Sequence, residues 1–332
     1  MRLLAADIGG TKTLIQLTRV QGERREVLYE RRYASVDFPD FHTLVRQFLQ
    51  EGGEARQAID AACLAVAGPV EGDPGGQWAR VTNLPWRIDS RHLAAAFHIG
   101  RACLINDFAA VAYGISTLGD EELYILQQGA QRPHAPQLVA GAGTGFGLAQ
   151  RVWDGHGYQV LSSEAGHADF SPATPLQSDL AVYLREKLGR CAIESVLSGP
   201  GLVNIYDFLL SHHGSAASAA QQSWLARQDA AAISDAAMEG RDERAREALE
   251  LFCAVYGATL GNLALFNIPR GGVYIAGGIA PRIIDWLCKD GFLQAFKDKG
   301  KMAALMETLP LAVVMNPRVG LHGARLFAEK YC

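Results

Sequence analysis

Near the amino terminus, Asp7-Ile8-Gly9-Gly10-Thr11-Lys12-Thr13 joins a carboxylate to two glycines at the end of an apolar run. Glycines in that position let backbone N–H groups come close to an anion, and a carboxylate at the mouth of such a loop can hold Mg2+, usually through water. The same residues also suit an ordinary hairpin turn. A second run, Gly141-Ala142-Gly143-Thr144-Gly145-Phe146-Gly147, has four alternate glycines. Each costs backbone entropy, so packing is a poor explanation for them and a phosphate loop a better one. Neither run is a Walker A loop, because the Gly300-Lys301 pair is followed by Met302. A Rossmann fingerprint fails too, since its third glycine would fall on Phe146 or Leu148.

Three further groups have chemistry to offer. Asn106-Asp107 ends a buried apolar run, where polar residues of an α/β sheet face the ligand crevice. Asp107 there can act as a base for a hydroxyl; it can equally cap a helix starting at Phe108, and the two roles are compatible. Glu164-Ala165-Gly166-His167, with Glu194 farther on, supplies two carboxylates and an imidazole, a set suited to sugar hydroxyls. His167 has no second His or Cys at ligand spacing, which argues against a metal there. Ile275-Ala276-Gly277-Gly278-Ile279 places two glycines after a strand, where a flat adenine or a ribose can lie close to the backbone.

The elements that must position these groups are legible in outline. Leu3–Ile8, Thr11–Val20 and Glu26–Tyr33 read as an antiparallel meander. Residues 40–51 place Phe41, Leu44, Val45, Phe48 and Leu49 on one helical face and end at Gly52-Gly53. Ala61–Ala67 and Ala102–Ile105 read as buried strands, and Ser90–Phe97 as a helix capped by its serine. Leu138–Leu148 repeats the strand–glycine–strand pattern of Leu3–Leu14, which suggests an internal duplication. Beyond it the pattern is mainly helical: Ser178–Leu188 with a serine cap, a turn at Glu194–Leu197, a long helix over Arg241–Phe266, the strand Val273–Ala276 and a helix opened by Pro281. Residues 212–240 read as a loose surface excursion. Strands alternating with helices make an α/β protein.

Bulk properties bound the function. A chain of 332 residues calls for two lobes. A net charge of -4 gives no basic footprint for nucleic acid. The six cysteines form no CxxC pair, and most sit in apolar runs, as small buried hydrophobes do in a reducing cytosol. The amino terminus runs straight into a strand without a signal-peptide pattern, and no uninterrupted apolar stretch is read as long enough to span a membrane. The expectation is a soluble cytoplasmic protein.

In chain order, the first loop, Asn106-Asp107, the second loop, Glu164-x-Gly-His167, Glu194 ahead of Leu197-Ser198-Gly199-Pro200-Gly201, and Ala276-Gly277-Gly278 resemble the hexokinase-type bacterial glucokinases. That family lies within the actin, hexokinase and heat-shock ATPase superfamily, and the resemblance runs from Leu3 to about Phe327. It implies a two-lobed actin-like ATPase (ribonuclease H-like) fold. The small lobe would be residues 1–110 plus 315–332 and the large lobe 111–314, with sugar in the cleft and ATP across it. It implies transfer from ATP to the 6-hydroxyl of glucose, with Mg2+ and in a homodimer. Carried over by position, Ala6, Asp7, Ile8, Gly9, Gly10 and Thr11 look like the first phosphate loop, with Asp7 the metal residue. Gly143, Thr144 and Gly145 look like the second loop, and Gly277 and Gly278 like the adenosine site. Asp107 looks like the catalytic base, and Asn106, Asp107, Glu164, His167 and Glu194 like sugar ligands. Two positions depart from the pattern: Lys12 stands where many members have Asn, and Ala165 replaces a common Gly. The zinc-binding Cys-x-Cys-Gly segment of the related ROK kinases is absent after His167. The rival readings are a kinase of mannose or fructose, a non-catalytic sugar-binding regulator, and an actin-like ATPase that moves a partner. The last has no need for the four sugar residues together.

Overall fold

The first apolar run forms strand β1 (Arg2–Ile8), buried on both faces, in a computed structural model that describes residues 1–53, 57–214 and 217–332. β1 pairs antiparallel with β2 (Lys12–Gln21), which pairs with β3 (Arg24–Ala34). After α1 (Phe41–Glu51), β4 (Ile59–Val66) adds parallel to the other edge of β1. A small antiparallel sheet follows: β5 (Val70–Glu71), β6 (Trp78–Arg80) and β7 (Arg87–Asp89). Then come α2 (Ser90–Phe97), β8 (Ile99–Asn106), parallel to β4, and α3 (Asp107–Gly114). The main sheet has the order β3-β2-β1-β4-β8.

Burial explains why β1 lacks simple alternation. Leu4, Ala6 and Ile8 pack with Phe41, Leu44 and Phe48 of α1 and Leu93 of α2. Leu3 and Ala5 pack with Ala110 of α3 and with Leu321 and Ala324 of the carboxyl-terminal helix Val319–Lys330. A strand covered on both sides reads as one continuous apolar run. This unit comprises Met1–Asp120, Tyr158–Ser162 and Asn316–Cys332, so it extends past the expected 110 and takes in a short segment of the middle of the chain. Cys103 of β8 is joined to Cys332 by a disulfide, which corrects, for this pair, the reading of the cysteines as small buried hydrophobes in a reducing cytosol.

The second unit is Glu121–Gly157 with Ser163–Met315. Its strands are β9 (Leu123–Gln127), β10 (Gln137–Ala142), β11 (Phe146–Trp153), β13 (Gly272–Ala276) and β14 (Leu311–Val314); with β12 (Tyr158–Ser163), of which only Ser163 is counted in this unit, the sheet order is β12-β11-β10-β13-β14-β9. β10 has an antiparallel partner, β11, on one side and a parallel one, β13, on the other, as β1 has β2 and β4. The helices are α4 (Pro175–Leu188), α5 (Gly199–His212), α6 (Ala219–Ala226), α7 (Ala230–Met238), α8 (Glu243–Asn267), α9 (Ile284–Leu287), α10 (Asp290–Lys297) and α11 (Ala303–Glu307).

Several expectations need correction. Of the expected loose excursion at 212–240, residues 215–216 lie outside the described residues, and 217–240 are no excursion: they hold α6 and α7, and Ile233, Ala236 and Ala237 of α7 are buried in the core. Asp89, not Ser90, caps α2, and α4 starts earlier than expected, capped by Thr174 rather than Ser178. α8 does contain a window long and apolar enough to cross a membrane by composition, but 61% of that window is buried within the fold, as a core helix requires.

Candidate functional site

The first loop is the turn between β1 and β2. The Gly9 N–H donates to the Lys12 carbonyl at 3.0 Å, and the Ser35 hydroxyl donates to the Gly9 carbonyl at 2.9 Å. The Ser35 N–H donates to the Thr11 carbonyl at 3.0 Å. The loop carbonyls are thus held from outside. Among the described residues, the N–H groups of Gly10 and Thr11 have no acceptor. Paired free amides at a strand end form an anion cradle. Gly10 lies so close to the turn at Thr82-Asn83 that a Cβ there would stand 3.1 Å from the Thr82 carbonyl; Asn83 itself has φ 65°.

Asp7 lies on β1, opposite Leu14 and beside Ala65. Burial pushes its carboxyl above the usual aspartate value, and the neighbouring Lys12 ammonium pulls it back in part. The carboxyl-terminal helix meets it at Gly320, where a Cβ would be 3.2 Å from Asp7 Oδ2.

Asn106 and Asp107 emerge at the same end of the sheet. Ile8 is in register with Val66, and Val66 with Asn106, so one strand separates the two motifs. Asn106 is the cap of α3: its Oδ1 accepts from the N–H of Phe108 (2.9 Å) and of Ala109 (3.1 Å), and its Nδ2 donates to the Gly68 carbonyl at 3.3 Å. Asp107 is the first helical residue, and its Oδ1 accepts the Phe108 N–H at 2.8 Å. The capping role open to Asp107 from the sequence therefore belongs to Asn106.

In the second unit the loop between β10 and β11 is fixed from several directions. Gly143 N–H donates to the Gly145 carbonyl, and Gly199 N–H donates to the Gly143 carbonyl, both at 2.8 Å. The Ala142 N–H donates to the buried Tyr256 hydroxyl at 3.1 Å. The N–H groups of Thr144 and Gly145 have no acceptor among the described residues. Not all four glycines serve an anion, however. A Cβ on Gly141 would lie 2.2 Å from the Ala276 carbonyl, so Gly141 is explained by the packing of β10 on β13. Gly277, at φ 87°, brings the second turn against Ala142 at the end of β10, and Gly278 is open. Gly143, Thr144, Gly145, Gly277 and Gly278 thus form one neighbourhood.

Glu194 joins that neighbourhood to His167. Its Oε2 accepts the Phe146 N–H at 3.3 Å, while its Oε1 is 3.4 Å from His167 Nδ1. The other face of the imidazole meets Glu164, with Nε2 4.0 Å from Oε2. The Glu164 and His167 side chains are 66% and 61% exposed, leaving their remaining hydrogen-bonding capacity open to a ligand. Ser198 donates to the Glu194 carbonyl at 2.6 Å and fixes its turn. Sequence reasoning passed over Ser35, Asn83 and Tyr256. Asn83 carries a turn signal in Asn-Leu-Pro, whereas Tyr256 is hidden in the apolar stripe of α8.

A profile of the family described as Glucokinase matches residues 4–331. A protein of Synechocystis named glucokinase is 44% identical over 353 aligned positions, covering 99% of this chain and 98% of its own. One of the same name from Colwellia psychrerythraea is 35% identical, with coverage of 98% and 96%. Among solved structures, a glucokinase from an Antarctic psychrotroph is 31% identical, with a TM-score of 0.82 over 99% of this chain and 98% of that one.

Proposed function

Because the chain belongs to the glucokinase family, we propose that it transfers the γ-phosphoryl group of ATP to the 6-hydroxyl of glucose. The observation that carries this reading is that each glycine loop offers adjacent N–H groups with no acceptor among the described residues, at Gly10-Thr11 and at Thr144-Gly145. Such amides suit phosphate oxygens.

In this reading Ala6–Thr11 and Gly143–Gly145 hold the phosphates, and Gly277-Gly278 lies against the adenosine. Glu164, His167 and Glu194 hold sugar hydroxyls. Asn106 has committed its oxygen twice and one amide hydrogen once, so it contributes its remaining hydrogen as a donor. Asp107 accepts the proton of the 6-hydroxyl as the oxygen–phosphorus bond forms and the bond to ADP breaks. Positioning and charge stabilisation do most of the work in such transfers. Asp7 fits a Mg2+ site of the type in which one carboxylate, waters and substrate phosphates share the ion, since no three His, Cys, Asp or Glu side chains among the described residues form a cage. Bound there, the ion would neutralise charge on the phosphoryl oxygens. The matching strand orders of the two sheets support assigning both units to the ribonuclease H-like architecture of actin-like ATPases, and the reading extends to a cytoplasmic homodimer.

The test is a coupled ADP assay over glucose, mannose and fructose with ATP and Mg2+. Glucose should give the highest kcat/KM. No hexose-dependent ADP production under any metal condition would remove the reading; preference for mannose or fructose would reassign the acceptor.

A further inference from the structure

Strand β8 is the last in its sheet, so one of its edges has no strand beside it in that sheet. At Leu104 a side chain takes the missing strand's place. The Gln77 amide donates from Nε2 to the Leu104 carbonyl at 2.9 Å, and its Oε1 accepts the Leu104 N–H at 3.0 Å. A primary amide holds a donor and an acceptor side by side, as a neighbouring peptide would. Glutamate lacks the donor, methionine lacks both groups, and asparagine is one methylene short. Gln77 is itself held: its carbonyl accepts the Ser90 N–H at 2.9 Å, and it leads into β6, whose Trp78 pairs with Asp89 of β7. The bracket therefore ties the small sheet to β8 just ahead of Asn106 and Asp107.

We propose that Gln77 is a positioning residue for phosphoryl transfer. Its amide fixes the last residues of β8 and thereby the place from which Asp107 meets the sugar hydroxyl. The inference rests on the reading of Asp107 as the base. A displacement of about 1 Å at a reacting group can cost on the order of 10²-fold in rate, so loss of the bracket should cost roughly tenfold.

The test is steady-state kinetics of the full-length Gln77→Met enzyme, alone and combined with Asp107→Asn. Gln77→Met should lower kcat about tenfold and leave the KM for ATP within about twofold. In the Asp107→Asn background it should lower kcat no further, because the group it positions is gone. Equal losses in both backgrounds would mark Gln77 as merely structural and overturn the proposal, as would an unchanged kcat for Gln77→Met beside a slow Asp107→Asn. Gln77→Glu, which keeps the acceptor and loses the donor, carries the same expectations and stands in if Gln77→Met does not fold. An Asp107→Asn enzyme of near wild-type kcat would remove the base reading, and the Gln77 proposal with it.

Discussion

Asn106 and Asp107 are adjacent, yet their oxygens are committed differently. Asn106 caps α3 through two N–H groups and Asp107 opens the helix. The sequence showed that polar residues end this strand but not which of them caps, because either side chain can do so. Glu194 was legible as a carboxylate near His167 in function, but its bond to the Phe146 N–H is a long-range contact with no local signal. That bond makes a distinction between the two carboxylates. Glu194→Ala should raise the KM for both glucose and ATP, at ~1–3 kcal/mol for the partner lost, whereas Glu164→Ala should affect glucose alone. Steady-state kinetics with each substrate varied decides this, and an unchanged KM for ATP in Glu194→Ala would uncouple the carboxylate from the loop. Asp7 gives a prediction about stability. Its carboxyl is raised above 3.8 in the fold, so the stability it contributes is present below that value and is lost as pH rises through the folded-state value. Asp7→Asn should therefore melt higher than the wild type at neutral pH, by ~2–4 °C per kcal/mol relieved. The two proteins should converge below pH 3.8, and the variant should lose activity. Melting curves across pH that show no such divergence would contradict it.

At the scale of elements, strands and helices with strong patterns were the legible part. β1 to β4, α1 and the β10–β11 hairpin follow from apolar runs and glycine turns. Helix starts were less legible, because several Ser, Thr and Asp side chains stand near each one and only the fold selects among them. α6 and α7 were missed because a segment rich in Ala, Ser and Gln carries little periodic signal, and burial of Ile233 against the core decides its structure. Asp242, which caps α8, shows what a helix cap contributes. It accepts the Ala245 N–H at 2.8 Å, the Tyr206 hydroxyl at 2.9 Å and the Gln221 amide at 2.7 Å. Burial works against its charge, but these donors outweigh it and hold the carboxyl below 3.8. A lowered value means the stabilisation is present above 3.8 and disappears as pH falls through the folded-state value. Asp242→Ala should cost ~1–3 kcal/mol at neutral pH and less in acid. Denaturant titration at several pH values tests it; a cost independent of pH would show that the charge is not what the cap contributes.

For the whole molecule, the disulfide was not legible, because Cys103 and Cys332 lie 229 positions apart and neither belongs to a recognisable pair motif. Closing so long a loop restricts the unfolded chain, an effect of about 5.5 kcal/mol in the chain-entropy account. Alkylation of the unfolded, unreduced protein should modify Cys63, Cys191, Cys253 and Cys288 only, and prior reduction should add Cys103 and Cys332 while lowering the melting temperature. Modification of all six without reductant would contradict the pairing. The duplication, by contrast, was legible in two glycine hairpins, and the matching strand orders extend it to five strands of each sheet, with β9 an addition to the second. What these elements are proposed to serve is one proton transfer and one phosphoryl transfer, and the most direct test is the kcat of Asp107→Asn at saturating glucose and ATP. Asparagine keeps the size of the side chain and can still accept the Phe108 N–H, while Asn106 holds the cap, so the fold should be unaffected. A base of this kind contributes roughly 10²–10⁴-fold. The account predicts a folded variant with kcat lowered at least about a hundredfold and a KM for glucose changed far less; a kcat within about threefold of the wild type would contradict it.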